Sequence, residues 1–160
     1  MLRIGICDDE CYARDALRLE LEKLLEETEE IVYEFSGGET AVSWLKKHPG
    51  EIDFLFLDVE MKGVNGIRTA EQIREFDTRI QIVFVTGFRD FVFEGYRVQA
   101  VDYLVKPVMR TGFPVCFRVC ADSWSRCGRS SLSFRMGTAY TGFTRMKYSI
   151  FTVRREKWWR

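Results

Sequence analysis

The run IDFLFLDV, residues 52–59, decides the fold class of this chain. Phe54 to Leu57 are four apolar residues in succession, and Asp58 follows them. Successive side chains of a strand point to opposite faces, so this run indicates a strand that is covered on both sides. The next segment, GIRTAEQIREF at 66–76, has the apolar spacing of a helix. A doubly covered strand followed by a helix is typical of a parallel α/β sheet.

The same alternation of strand and helix extends in both directions from this run. Further strands are predicted at LRIGIC (2–7), IVYEF (31–35), IQIVFVTG (80–87) and VDYLV (101–105). Further helices are predicted at CYARDALRLELEKLLEETEE (11–30), ETAVSWLKKH (39–48) and RDFVFEGYRVQA (89–100). Five such units predict a doubly wound α/β domain with a five-stranded parallel sheet. We place this domain at residues 1–110 and an irregular tail at 111–160.

The formal net charge of zero conceals a strong asymmetry between the domain and the tail. Residues 111–160 contain ten Lys or Arg and two acids, which leaves 22 acids and 14 bases in residues 1–110. A basic tail of this kind is typical of a nucleic-acid-binding arm. The five cysteines fit no zinc spacing, and we find neither a signal peptide nor a membrane-spanning run. These observations predict a cytoplasmic protein with no membrane partner.

Polar residues end four of the five predicted strands. They are Asp8 and Asp9, Asp58, Thr86, and Lys106. Ligands of parallel sheets bind beyond the carboxyl ends of the strands, so these side chains are expected to converge. Three carboxylates in one place repel each other unless a cation shares them, and oxygen ligands suit Mg²⁺. Each residue alone is more often a helix cap or a solvated side chain, so the prediction depends on the set.

Four motifs in this order resemble the receiver domain of two-component response regulators. They are ICDDE (6–10), FLFLDVEMKGVNG (54–66), VFVTG (83–87) and DYLVKP (102–107). The resemblance implies a flavodoxin-like sheet of strand order 2-1-3-4-5. It also implies that Asp58 accepts a phosphoryl group from a sensor histidine kinase. Mg²⁺ would be bound by Asp8, Asp9, Asp58 and the backbone carbonyl of Glu60, whose side chain is expected to be solvated.

The resemblance also implies roles for the residues at the last two strands. Thr86 would donate a hydrogen bond to the phosphoryl oxygens, and Lys106 would pair with them. Tyr103 matches the aromatic residue that turns inward in the active state, and the Lys106–Pro107 bond is expected to be cis. The chain would be no enzyme beyond its own phosphorylation and dephosphorylation, and phosphorylation would favour a homodimer. Lys62 departs from the family, which commonly has proline at this position.

Two other classes share parts of this pattern. Phosphatases of the haloacid dehalogenase type also use an aspartate and Mg²⁺ after a buried strand, but they require a second aspartate where Glu60 stands. Flavodoxin-like flavin proteins share the sheet, but Asp8 and Asp9 would repel the flavin phosphate.

The tail carries a second resemblance once its reading frame is shifted. Receivers with LDVEMKGVNGI (57–67) and DYLVKPV (102–108) resemble those joined to LytTR-type DNA-binding domains, which need on the order of 100 residues. The shifted frame joins the last base of each codon to the first two bases of the next. At three residue pairs the shifted codon is fully determined: Met136-Gly137 gives Gly, Met146-Lys147 gives Glu, and Trp158-Trp159 gives Val. One permitted reading of 134–160 is QNGDGVYRIYEDEILYFYSEKGKVVA, which is similar to the start of a LytTR domain.

We therefore predict that the tail is a frameshifted remnant of the fifth helix, the linker and the start of a LytTR domain. The shift would lie between about Val108 and Val115. DNA would then be a partner of the intact parent protein, and a genuine basic DNA-binding arm is the alternative. In the given frame, Val115, Phe117 and Val119 alternate with polar or small residues, which is a strand-like period of poor helix formers where the fifth helix belongs. A helix could still begin at Pro114, but we expect it to cover the core badly.

Overall fold

The computed structural model describes residues 1–87 and 98–108, together with Phe117, Arg118 and Ala121. It contains five strands: β1 (Leu2–Cys7), β2 (Glu29–Phe35), β3 (Phe54–Leu57), β4 (Gln81–Thr86) and β5 (Asp102–Val105). Three helices complete the regular structure of these residues: α1 (Cys11–Glu22), α2 (Gly38–Lys47) and α3 (Gly66–Arg74). Residues 89–97 of the helix predicted at 89–100 and most of the tail lie outside the described residues, and the last three residues of that prediction, 98–100, are not helical.

The five strands form one parallel sheet in the order β2-β1-β3-β4-β5. This order and the doubly wound α/β fold confirm the prediction. The central strands β3 and β4 are buried along their whole length, as their continuous apolar runs indicate. Cys7 of β1 pairs with Leu57 of β3, so the residues that follow these two strands emerge side by side.

Side chains on the two faces of the sheet form two separate cores. The first core packs residues of α2 and α3 against the sheet and includes Phe35, Leu45, Leu55, Ile73 and Phe84. The second core packs α1 against the other face and includes Ile4, Leu17, Leu21, Phe54 and Phe56. Two buried residues from beyond position 110, Phe117 and Ala121, belong to this second core.

The first helix is shorter than its apolar spacing predicts. It ends at Glu22, and Leu24 and Leu25 follow as a turn whose two N–H groups donate to the Leu21 carbonyl at 2.7 and 3.1 Å. Parallel pairing explains the early end, because Glu29 and Glu30 are recruited into β2 opposite Leu2 and Arg3. Both leucines still pack against the second core.

At the place of the fifth helix, the described residues follow the helical reading and not the strand-like period. Phe117, Arg118 and Ala121 are helical. Phe117 and Ala121 are four positions apart, so a helix places both on one face, and they are 3% and 1% exposed. Their burial against the sheet outweighs the weak helix preference of the segment.

Arg118 attaches the same helical residues to the start of β2. Its guanidinium forms ion pairs with Glu29 and, at 2.7 Å, with Glu26. It also lies 5.0 Å from the centre of the Phe117 ring. Three residues of the given reading frame are thus attached to the same face of the sheet as α1.

Candidate functional site

Three aspartates meet at the carboxyl edge of the sheet. Asp8 follows β1 and Asp58 follows β3, and the Asp58 N–H donates to the carbonyl of Cys7 at 2.8 Å. One carboxylate oxygen from each of Asp8, Asp9 and Asp58 lies within 4.8 Å of the others. Asp8 and Asp58 are only 4% and 5% exposed, whereas Asp9 is partly exposed. The convergence predicted from the strand ends is therefore present.

Lys106 extends its side chain from β5 to the aspartates. Its Nζ lies 2.6 Å from Oδ2 of Asp8 and 2.9 Å from Oδ2 of Asp58. Its backbone N–H donates to the carbonyl of Thr86 at 2.8 Å, which fixes the end of β5 against β4. The Lys106–Pro107 peptide bond is cis, as the resemblance implied.

Burial sets the protonation of these groups. It raises the pKa of the Asp58 carboxyl above its ordinary value, and the hydrogen bond and charge of Lys106 offset only part of this effect. Burial alone would lower the pKa of Lys106, but its hydrogen bonds to Asp8 and Asp58 raise it instead. Lys106 is therefore charged at neutral pH.

The donor set fits a hard divalent cation. Three carboxyl groups and one ammonium share a largely buried site, so acidic oxygens outnumber the cations near them. Oxygen ligands of this kind are those that Mg²⁺ takes in proteins, with water in the remaining positions. Asp8, Asp9 and Asp58 are the side chains that would hold it.

Two loops hold the carboxylates in place through backbone N–H groups. Oδ1 of Asp8 accepts a hydrogen bond from Glu10 N–H at 2.8 Å, and Oδ1 of Asp58 accepts one from Glu60 N–H at 3.3 Å. The Glu60 side chain is exposed, as predicted. Oδ2 of Asp9 accepts a hydrogen bond from Lys62 N–H at 3.2 Å, which a proline at this position could not donate.

Thr86 and Tyr103 lie on the last two strands. Thr86 is fully buried and ends β4, between the strands that carry Asp58 and Lys106. Tyr103 is half-buried against the first core, with its ring centre 6.3 Å from that of Phe84. Both therefore lie on the side of the site where β4 and β5 meet.

Gly66 brings the start of α3 against the backbone of Asp58. A Cβ on Gly66 would overlap the Asp58 carbonyl oxygen and lie 2.8 Å from the Asp58 carbonyl carbon. Asn65 caps the helix by accepting a hydrogen bond from Arg68 N–H at 2.8 Å. The close approach that only glycine permits thus fixes the position of Asp58 relative to α3.

Sequence reasoning missed two features of this region. Nη1 of Arg14 donates to the carbonyl of Asp8 at 2.6 Å, a contact that no strand-end pattern indicates. Beneath the acids, Sγ of Cys7 lies 3.6 Å from Sδ of Met61. Burial, followed by the charges of Asp8 and Asp58, raises the pKa of Cys7 to about 12, so this thiol stays protonated.

A parallel sheet of order 2-1-3-4-5 with three carboxylates and a lysine at its carboxyl edge defines a flavodoxin-like α/β domain with an acidic cation site. Residues 4–113 match the family model of the response regulator receiver domain, and the chain belongs to that family. The predicted resemblance is confirmed, and the phosphatase and flavin-binding alternatives are set aside. No helix within the described residues is long and apolar enough to cross a membrane.

Similar proteins include two bacterial regulators. The chain is 36% identical over 107 residues to the sensory transduction protein LytT of Bacillus subtilis, covering 67% of this chain and 43% of LytT. It is 26% identical over 132 residues to the transcriptional regulatory protein YpdB of Escherichia coli, covering 81% of this chain and 52% of YpdB. The chain thus spans about half the length of these relatives.

A solved structure has the same fold. The response regulatory domain of protein mrkE from Klebsiella pneumoniae superposes with a TM-score of 0.67 at 25% identity, covering 78% of this chain and 99% of that one.

Proposed function

We propose that this chain is a two-component signalling switch in which Asp58 accepts a phosphoryl group from a sensor histidine kinase. The observation that carries the proposal is the arrangement around Asp58. Its carboxylate contacts Lys106 at 2.9 Å and shares a site with Asp8 and Asp9, all within 4.8 Å. These neighbours suit an acceptor whose reaction gathers negative charge at one point.

In the proposed reaction, a carboxylate oxygen of Asp58 attacks the phosphorus of a phosphohistidine. An O–P bond forms and the P–N bond breaks, so the bonding electrons return to the imidazole of the kinase. Lys106 offsets negative charge on the transferring oxygens. Asp8, Asp9, Asp58 and the Glu60 carbonyl would hold a Mg²⁺ ion, which when bound would supply further charge compensation.

The phosphoryl group then changes the face formed by β4 and β5. The phosphoryl group carries about −1.5 to −2 charges and three strong acceptor oxygens beside the end of β4. The Thr86 hydroxyl donates to these oxygens, and Tyr103 turns further inward. A differential interaction of ~5.5 kcal/mol would shift such an equilibrium from 1:99 to 99:1. The altered face favours a homodimer.

In the intact parent protein, this switch would control transcription in the cytoplasm through a LytTR-type DNA-binding domain. The support is the likeness to LytT and YpdB, together with the shifted-frame reading of residues 134–160. This chain itself is expected to bind DNA weakly, because scattered Lys and Arg contact only phosphates. Its affinity for any duplex should fall steeply with added salt.

The experiment is labelling of the full chain with a small phosphodonor such as acetyl phosphate, followed by intact-mass measurement. We expect one phosphoryl group per chain with Mg²⁺ and none when the metal is chelated. Labelling that is indifferent to Mg²⁺, or no labelling at any Mg²⁺ concentration, would contradict the proposal. Light scattering on the same samples tests whether the labelled chain dimerises.

A further inference from the structure

The peptide group between Asp8 and Asp9 carries both of the acids that β1 contributes to the site. Its carbonyl belongs to Asp8 and its N–H to Asp9, and the peptide group is planar. The position of this one plane therefore restrains the backbone at both of the Cα atoms that carry these side chains. A group that binds the Asp8 carbonyl therefore restrains the backbone that carries two of the three proposed magnesium ligands.

That carbonyl is bound by Arg14. Its Nη1 donates to the Asp8 carbonyl oxygen at 2.6 Å, across one turn at the start of α1. The other polar atoms of Asp8 are held differently. Its N–H donates to the carbonyl of Phe35 at 3.2 Å, and its carboxylate oxygens accept from Glu10 N–H and from Lys106. Arg14 is the side chain that anchors the Asp8 backbone.

The guanidinium is itself held in place from the neighbouring strand. Nε of Arg14 lies 3.8 Å from Oε2 of Glu34 on β2, and the Arg14 side chain is only 18% exposed. One turn further along α1, Nε of Arg18 lies 3.3 Å from Oε1 of the same glutamate. A planar guanidinium with separated donors can contact the carbonyl and the carboxylate at once. Arg14 thus ties the Asp8–Asp9 peptide to β2 through α1.

We infer that Arg14 is a positioning residue for the magnesium site, acting through the Asp8–Asp9 peptide rather than on the metal or the phosphoryl group. This inference builds on the proposed function. It opposes the simplest electrostatic expectation, because a positive charge near the acids repels a second cation. Removal of that charge alone would strengthen Mg²⁺ binding, whereas loss of the anchor weakens it. The direction of the change therefore distinguishes the two roles.

The test uses three variants of the full chain. Arg14→Met keeps an unbranched apolar stem but removes the donor and the charge. Arg14→Lys keeps the charge but loses the guanidinium fork. Arg18→Met is the matched control, since Arg18 lies on the same helix and pairs with Glu34 but bonds no atom of the Asp8–Asp9 loop among the described contacts.

Two measurements are made on each variant. Calorimetric titration gives the Kd for Mg²⁺, and hydrogen exchange of the Glu10 amide, measured without metal, reports the loop itself. For Arg14→Met, we expect the Kd to rise about tenfold, the lower end of the range for groups that orient metal ligands, and Glu10 exchange to accelerate. Arg14→Lys should show an intermediate loss, and Arg18→Met should match the parent chain in both measurements.

Unchanged or tighter Mg²⁺ binding by Arg14→Met would overturn the inference, as would equal losses in Arg14→Met and Arg18→Met. If Arg14→Met unfolds, the comparison of Arg14→Lys with Arg18→Met decides, and equality between them overturns the inference. Absence of Mg²⁺ binding by the parent chain would count against the proposed function instead. In that case, the exchange of Glu10 still tests the anchor alone.

Discussion

Truncation of Phe117 tests whether the helical residues beyond position 110 complete the fold. Phe117 is 3% exposed, and its ring centre lies 6.1 Å from that of Phe56 and 6.5 Å from that of Phe54. Phe117→Ala removes this ring from a closed core, which costs about 3–5 kcal/mol once the cavity is included. That loss is comparable to the lower end of a domain's stability of about 5–15 kcal/mol.

The assay is urea unfolding of the full chain, followed by far-ultraviolet circular dichroism. With a slope of about 2 kcal/mol per molar, a loss of about 4 kcal/mol lowers the midpoint by about 2 M. Phe76→Ala is the matched control, because Phe76 is 38% exposed and its main described contact is the Lys46 ammonium 5.4 Å above its ring. That change should cost about 1–2 kcal/mol, because the ring is only partly buried. Equal midpoints for the two variants would refute the reasoning.

Three further predictions concern the site. Gly66→Ala forces a Cβ into the backbone of Asp58, so it should cost about 1–3 kcal/mol and slow phosphorylation, as unfolding and labelling rates will show. Lys106→Met leaves Asp8 and Asp58 buried without their cation, so in chelator it should destabilise the chain by on the order of 3 kcal/mol, and added Mg²⁺ should reverse part of the loss. Asp58→Asn should raise the melting temperature in chelator at neutral pH.

The sign of the last prediction follows from linkage. The pKa of Asp58 is higher in the folded chain than in the unfolded chain. At a pH above the unfolded-state pKa, ionisation of this carboxyl group therefore favours the unfolded chain. The gain from Asn should therefore fade as the pH falls and Asp58 becomes protonated in the parent. If the increase in melting temperature stays constant as the pH falls from neutral to acid, the raised pKa of Asp58 is contradicted.

Each of the other two predictions has its own control. Gly37→Ala adds the same methyl group where nothing lies within 4 Å, so it should leave the labelling rate unchanged. If Gly66→Ala behaves in the same way, the close approach to Asp58 is unimportant. If Mg²⁺ stabilises Lys106→Met no more than it stabilises the parent, the ammonium and the metal do not compensate the same charges.

The strand ends made most of the site predictable from sequence. Phe54 to Leu57 and the runs around them indicate buried parallel strands, and parallel strands deliver their last residues to one edge. Asp8, Asp58 and Lys106 therefore lie close together, and this does not depend on the exact bounds of the helices. Local sequence is sufficient here because the parallel topology of the sheet brings residues that are distant in the sequence to the same edge.

The contacts that sequence reasoning missed depend on geometry between elements. Arg14 binds a carbonyl six residues earlier, and Lys62 N–H binds Asp9 across 53 positions, so neither contact has a periodic signature. The conformation at Phe117 was left open between strand-like and helical for a different reason. Its local sequence has a strand-like period, but the open face of the sheet buries Phe117 and Ala121 on one helical face. Tertiary burial outweighed local preference there.

The central claim is that Asp58 is the phosphoryl acceptor and that its neighbours Asp8 and Asp9 bind the metal. The most direct measurement is intact-mass labelling of the full chain, Asp58→Asn and Asp9→Asn by a small phosphodonor over a range of Mg²⁺ concentrations. We predict no label on Asp58→Asn at any concentration, and a slowed label on Asp9→Asn that recovers as Mg²⁺ is raised. A label that persists on Asp58→Asn would contradict the account.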